Sequence, residues 1–426
     1  MADEHVPRGQ QYAQGVVLGF LRLVVRCATP LRCAARVLEL FGPAAGHDVI
    51  APHWTTGRLW LLRLGLAALL RPKPIAADWV WMVDHSIQVG QTKCLVVLGI
   101  RLSDLPVRRA LCHEDMELIA LEPMKDSTKE TVAVCLEDAV IRTGVPRVIL
   151  DDHGADLHGG VEIFRRHHSE TTEVYDIKHK AACSLKARLG KDERWKRYAS
   201  ELAQTKCAIQ QTELAFLVPP SQRTKARFMN LSGLVKWGRE TLALVDDPSR
   251  GEGLEVSAAR VETKLGWLKE YRDELREWSE WHAVIEATLD FVRSHGLYVG
   301  AGSDLAAALP ARTGRADELR TELIEFVTIE SSKARIGERL PGTTEVLESC
   351  FGRLKAMECD QSKSGFTGLV LSLGAMISKW DGETIGKALE QVGVREVLDW
   401  CKRKLGISVQ ARRKQAYKLA SATEMG

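Results

Sequence analysis

Two stretches of the chain run through apolar and β-branched residues and finish on an acid: Asp78-Trp-Val-Trp-Met-Val-Asp84 and Arg147-Val-Ile-Leu-Asp151-Asp152-His-Gly154. This is the pattern of a buried strand with a carboxylate at its C-terminal tip. In an open α/β sheet, chemistry gathers at such tips. Residues 93–100 predict a second strand, joined to the first through a turn at Gly90, and residues 117–121 predict a third. Residues 148–150 make the fourth and 173–177 the fifth. A helical period replaces the strand pattern at 127–142, where Val132, Leu136, Ala139 and Val140 share a face, and again at 161–167 and 178–189.

Three strands in a meander, then helix, strand, helix, strand, helix, is the order of a ribonuclease-H-like fold, a mixed five-stranded sheet with helices. Fold alone names no reaction. Upstream, Thr29-Pro30 reads as a cap and first-turn proline for a helix that Gly42-Pro43 stops, and a second helix carries Thr55, Thr56, Arg58 and Arg63. That pair resembles a helix-turn-helix whose threonines and arginines reach phosphates and base edges. The plainer alternative is a helical subdomain with an arginine-bearing solvated face. Arg71-Pro-Lys-Pro74 reads as a stiff linker. Downstream, strand signals vanish and the chain turns helical and tryptophan-rich, with Trp195, Trp237, Trp267, Trp278 and Trp281. The expected organisation is a helix-turn-helix domain at 1–75, a first catalytic part at 76–190, an all-helical insertion at 191–320, a second catalytic part at 321–380 and a basic helical C-terminal region at 381–426.

Composition changes this picture little. The 426 residues carry a net charge of +3, too small to demand a nucleic-acid partner by itself. The ten cysteines include no Cys-x-x-Cys pair, which argues against a zinc ribbon and for reduced thiols in a cytoplasmic, nucleoid-associated protein. The apolar runs at 15–25 and 59–70 are too short to span a membrane and contain Arg22 and Arg63.

A third acid stands on a helical stretch far downstream, Thr343-Thr-Glu-Val-Leu-Glu348-Ser-Cys-Phe-Gly-Arg-Leu-Lys355. Hard divalent cations, Mg²⁺ or Mn²⁺, take carboxylate oxygens, and a pair of them both activates an attacking hydroxyl and stabilises the leaving oxygen of a phosphodiester. Asp84, Asp152 and Glu348 are the ligands expected for two such ions. Asp151 and Asp152 alternate faces, so one of them points inward; Gly154 lets the chain turn away just after Asp152, which favours it. Glu348 is preferred to Glu345 because Lys355 lies two turns further along its face, where an amine meets a phosphate. His153, His158, His167 and His168 cluster near the second acid, but without cysteine or acid spacing they read as surface residues rather than a zinc site.

Asp84, Asp152 followed by His-Gly, and Glu348-Ser-Cys-Phe-Gly-Arg-Leu-Lys355 resemble the signature of bacterial insertion-sequence transposases of the DDE class. Residues 175–181, Tyr-Asp-Ile-Lys-His-Lys-Ala, resemble the strand-to-helix junction after the second acid in some of them. The resemblance covers 78–190 and 340–360; the Tyr and Arg that often precede the glutamate are replaced by Pro341 and Thr344. It implies cleavage and strand transfer at transposon terminal inverted repeats, with a homodimer or higher multimer holding two ends and target DNA. Lys178, Lys180, Arg353 and Lys355 would join Thr55, Thr56, Arg58 and Arg63 in contacting double-stranded DNA. A helical insertion between the second and third acids also occurs in the hAT superfamily, where it grips a flipped base; by that similarity Trp267, Trp278, Trp281 or Tyr298 would stack on one. Against this stands the reading of spaced tryptophans as core. Two other functions compete: a nuclease of the same fold without strand joining, and a non-catalytic helix-turn-helix regulator.

Overall fold

The computed structural model describes residues 5–44, 50–89, 92–107, 109–221, 231–247, 249, 256–359, 367–407 and 409–423; the expected Gly90 turn lies outside them. The chain opens with helices α1 (Gln14–Val25), α2 (Leu31–Ala44) and α3 (Trp54–Leu70). The sheet follows as β1 (Trp79–Val89), β2 (Thr92–Arg101) and β3 (Glu117–Met124), then α4 (Lys129–Thr143), β4 (Val148–Asp151), α5 (Ala155–His167) and β5 (Thr172–Tyr175). Seven helices come next: α6 (Ile177–Leu189), α7 (Glu193–Ile209), α8 (Leu231–Asp246), α9 (Ala258–Leu265), α10 (Arg272–His295), α11 (Ala301–Ala308) and α12 (Gly314–Ser331). Helices α13 (Glu345–Cys359), α14 (Ser372–Ile377), α15 (Gly382–Gln391), α16 (Val394–Leu405) and α17 (Val409–Thr423) complete it. By contact the chain divides into two compact units, residues 1–174 with 343–426, and residues 175–342.

In the first unit the five strands form one mixed sheet in the order β3-β2-β1-β4-β5. β1 pairs antiparallel with β2 and parallel with β4, and β2 pairs antiparallel with β3. The odd-numbered residues of β1, Trp79, Trp81 and Val83, pack with Leu95, Val97 and Ile149 against Val132 and Leu136 of α4 and Leu157, Val161 and Phe164 of α5. Gly99 makes room there, since a Cβ would meet Ile119 and the Trp79 ring at about 3 Å. The even-numbered residues Val80 and Met82 are equally buried, on the other face. α13 packs along β1, and α3 and α14 pack on β3, without joining the odd-face cluster; these helices close the even face.

The N-terminal helices are built into this unit. α3 buries Trp60, Leu61, Leu62, Leu64, Leu66 and Leu69, and it crosses α14 so closely that a Cβ at Gly65 would strike the Leu371 carbonyl. α2 continues through Gly42-Pro43 to Ala44, past the expected stop. The stretch expected as a linker is exposed at Arg71, Pro72 and Pro74 but anchored at Lys73, which is buried and whose Nζ donates to the Ala68 and Leu69 carbonyls at 2.8 and 3.1 Å, capping α3. Burial pulls its pKa down to about 8.

Among its described residues the second unit has helices and one bridge, between Leu297 and Leu340. Its core is aromatic: Trp195, Tyr198, Tyr271 and Trp278 have ring centroids 5.0–5.8 Å apart, and Trp278 and Trp281 are fully buried. Glu322 of α12 accepts from Lys180, Ser184 and Arg188 of α6, and although burial opposes it these contacts hold its pKa at about 2.

Candidate active site

β1 and β4 run side by side in register, with Val80 opposite Val148, Trp81 opposite Ile149 and Met82 opposite Leu150. Two residues beyond Met82 is Asp84; two residues beyond Leu150 is Asp152. The two acids therefore lie at one level of neighbouring parallel strands, and side-chain alternation assigns both to the even face. Only β4 ends there, whereas β1, expected to stop before Asp84, runs on to Val89 because β2 continues to pair with it. Asp84 still belongs to the ladder, opposite Val96, and its Oδ1 accepts the His85 N–H at 2.6 Å. Asp152 follows the last residue of β4, and its Oδ1 accepts the Gly154 N–H at 2.9 Å, closing the turn; Gly154 itself has φ −54°, which any residue can adopt. Both are partly exposed.

α13, on the same face, begins after Thr343 and Thr344. The Thr343 hydroxyl accepts the Glu345 N–H at 3.3 Å, and the Thr344 carbonyl accepts those of Leu347 and Glu348. Its apolar stripe, Val346, Leu347, Cys350, Phe351 and Leu354, is buried. Glu348 in the first turn and Lys355 two turns on are exposed on one side of that stripe. An acid in a first turn also complements the helix dipole, so its position there has an ordinary structural use as well. Arg353 reaches back to the Val25 carbonyl at 3.2 Å and ties α13 to α1.

The odd face at the same strand ends is different. Asp151, one residue short of Asp152, is fully buried; its Oδ1 accepts the His153 N–H at 2.7 Å, and among the described residues its Oδ2 accepts no hydrogen bond. Burial, and then the neighbouring Glu173 carboxylate, push its pKa well above the usual carboxylate range. Glu173, on β5 and also buried, lies 2.6 Å from His158 Nδ1, 3.5 Å from His153 Nε2 and 3.4 Å from Arg165 Nη1. The imidazoles of His153 and His158 stand 4.4 Å apart. His153 has φ +55°, a left-handed conformation costly for a side chain with a Cβ, and it turns the chain between the two aspartates' faces and α5. The histidines expected on a bare surface thus sit beside an acid after all. The acid comes from the next strand rather than from a local spacing.

A further polar group missed by sequence surrounds His85, on the odd side of β1. Its Nε2 lies 2.9 Å from the Ser127 hydroxyl and its Nδ1 3.9 Å from Asp156, to which Lys93 donates at 2.9 Å. Burial lowers the His85 pKa against the pull of Asp156. Burial works the other way on Asp156, but hydrogen bonds from Lys93 and Ser127 hold it at about 2.

The residues expected to meet DNA are scattered. Thr55 is exposed at the start of α3, with its hydroxyl 2.7 Å from His53, while Thr56 and Arg58 are half-buried. Arg63 is buried; its guanidinium donates to the Leu389 and Val392 carbonyls and to Gln10, anchoring α3 to α15. In the second unit Lys178 and Lys180 open α6, and Lys180 is paired with Glu322. Trp278 and Trp281 belong to that unit's core, Trp267 packs against Tyr271, and the Tyr298 hydroxyl donates to Asp304. Among the described residues no helix is long and apolar enough to cross a membrane, and all ten cysteines are free thiols. The chain matches no model of a known protein family and no curated protein.

Proposed function

We propose that the protein is a DDE-type DNA transposase that cuts and joins phosphodiester bonds at transposon ends on a ribonuclease-H-like sheet. One observation carries the reading: Asp84, within β1, and Asp152, just past the end of β4, each follow by two residues a matched pair of these adjacent parallel strands, on the face closed by the helix that bears Glu348 and Lys355. The strand order 3-2-1-4-5, with an antiparallel meander and a parallel β1–β4 pair, supports the ribonuclease-H-like assignment.

The donor set suits Mg²⁺ or Mn²⁺, since it offers carboxylate oxygens without sulfur or nitrogen. Asp84, Asp152 and Glu348 would hold two ions, which supply an activated hydroxyl and charge for the leaving oxygen. The chain's own part is positional. Strand pairing holds Asp84 within β1 and Asp152 just past β4, and the turn at His153, which the Gly154 N–H closes on Asp152, takes the backbone away so that a DNA strand can approach Asp152. Lys355, exposed beyond Glu348, neutralises a phosphate beside the scissile one and orients the strand. Arg63, committed to packing, takes no part; Thr55 and Lys178 remain the better placed DNA contacts. Two ends held at once call for a homodimer or higher multimer on DNA.

The test is a labelled terminal inverted repeat from the flanks of the reading frame, incubated with purified protein, Mg²⁺ and a plasmid target. A transposase yields end-cleaved and strand-joined product. Cleavage without joining would identify the nuclease, and Mg²⁺-independent binding without cleavage the regulator.

A further inference from the structure

We propose that His153, His158 and Glu173, backed by Asp151, form a second cation site, on the odd face of the sheet, for a borderline divalent transition-metal ion such as Zn²⁺. The inference does not depend on the transposase reading. One ligand atom from each of His153, His158 and Glu173 lies within 4.8 Å of the other two. An ion with bonds of about 2.0–2.2 Å spans ligand atoms roughly 3.4 Å apart. The His153–Glu173 separation of 3.5 Å already matches, and the 2.6 Å His158–Glu173 hydrogen bond opens when a metal replaces its proton.

A second, independent feature points to a cation. Asp151 and Glu173 are two buried carboxylates in contact, and among the described residues Asp151 Oδ2 accepts no hydrogen bond. Two buried carboxylates demand a positive partner or a shared proton. Arg165 reaches one oxygen of Glu173 from the outer side, at 3.4 Å, and Glu162 lies 3.7 Å from His158 Nε2 on the solvent side. A divalent ion between the imidazoles and Glu173 neutralises both acids at once. Two imidazole nitrogens with carboxylate oxygen favour Zn²⁺ and its neighbours over Mg²⁺, which prefers an all-oxygen shell. The elements also suit a fixed site: His153 is locked by its turn, His158 sits in the first turn of α5, and Glu173 is on a strand.

The experiment uses the full chain, stripped with a chelator and titrated with Zn²⁺ alone in the presence of millimolar Mg²⁺, with bound metal measured by mass spectrometry. Wild type is expected to hold one equivalent more than H158A. The His158 side chain is partly exposed, so the alanine variant keeps its fold, which circular dichroism of the metal-free proteins checks. Free thiols bind Zn²⁺ equally in both proteins and cancel in the difference. D84N is expected to bind as wild type does, and Co²⁺ is expected to give a visible absorption band in wild type that H158A loses. Equal Zn²⁺ content in wild type and H158A would overturn the site, as would displacement of that equivalent by Mg²⁺ or its loss in D84N. An unchanged Co²⁺ spectrum in H158A would overturn it too.

Discussion

The two faces of the sheet, at the tip of β4 and beside it on β1, offer opposite chemistry within one residue of each other. Asp152 and Asp84, on the even face, are partly exposed, and the helix packed along β1 on that face shows an acid and a lysine to solvent. Asp151, on the odd face, is buried against Glu173 beneath two histidines and an arginine. The first arrangement suits hard ions that exchange water and meet a large anionic substrate. The second suits a softer ion or a proton held away from substrate. Strand alternation makes the difference: a shift of one residue would exchange the two aspartates' surroundings.

The largest effect should separate the adjacent aspartates. D84A and D152A each remove an oxygen donor from the even face and are expected to lower Mg²⁺-dependent end cleavage by more than about 100-fold. D151N, which touches only the odd face, is expected to keep cleavage within about tenfold of wild type. Single-turnover cleavage of a labelled end measures all three. Equal losses in D151N and D152A would erase the division between the faces.

A smaller effect belongs to Lys355. K355A is expected to weaken DNA binding about tenfold and to reduce the slope of log affinity against log salt by about one, the mark of one lost phosphate contact. Titrations at several salt concentrations give both values. If affinity falls while the slope stays fixed, the lysine supports α13 rather than DNA.

How much of this was legible in the sequence follows from range. The strand ending at Asp151 and the helix bearing Glu348 are local patterns of period two or 3.6 and form where the sequence predicts, whereas β1 runs five residues past Asp84, to Val89, because β2 goes on pairing with it there. The preference for Asp152 over Asp151 rests on alternation and a glycine, both local; the β1–β4 register puts Asp152 level with Asp84. What could not be read was non-local. His158 meets Glu173 only because β5 lies beside β4, a pairing set by topology. Arg63 looked like an exposed cation on an amphipathic helix; it is buried because α15, over three hundred residues later, supplies the Leu389 and Val392 carbonyls. Lys73 looked like part of a linker because nothing nearby revealed that it would cap α3. An unusual signal was available at Glu173, an acid inside a buried-strand pattern, and it went unused.

The third effect is on stability and its pH dependence. Burial and Glu173 raise the folded pKa of Asp151 above its unfolded value of 3.8. The folded state thus favours the protonated acid: its contribution is fully present below that unfolded value and is lost as pH rises through the folded pKa. D151N keeps an oxygen for the His153 N–H, presents an amide donor to Glu173 and does not titrate. In a metal-free, chelator-containing buffer, D151N is expected to gain on wild type as pH rises from 4 to 8, by on the order of 1–3 kcal/mol. Urea denaturation at both ends of the range measures it. A constant difference across the range would show that Asp151 meets no such environment.

The smallest effect lies at the hinge between the faces. His153 holds φ +55°, where glycine is at ease, histidine tolerated and a β-branched residue strained. H153G should therefore unfold within about 1 kcal/mol of wild type, with relieved backbone strain offsetting the lost ring contacts and the greater freedom of the unfolded chain. H153V should be less stable than H153G by about 1–3 kcal/mol, because valine must either adopt the left-handed conformation or move the turn that carries Asp152. Cleavage sharpens the result. H153G should retain it, since the Gly154 N–H still closes on Asp152, whereas H153V should lose it in proportion to the turn's displacement. If valine proves as stable and as active as glycine, the backbone at 153 is not what orients the two aspartates, and the division between the faces must come from β4 alone.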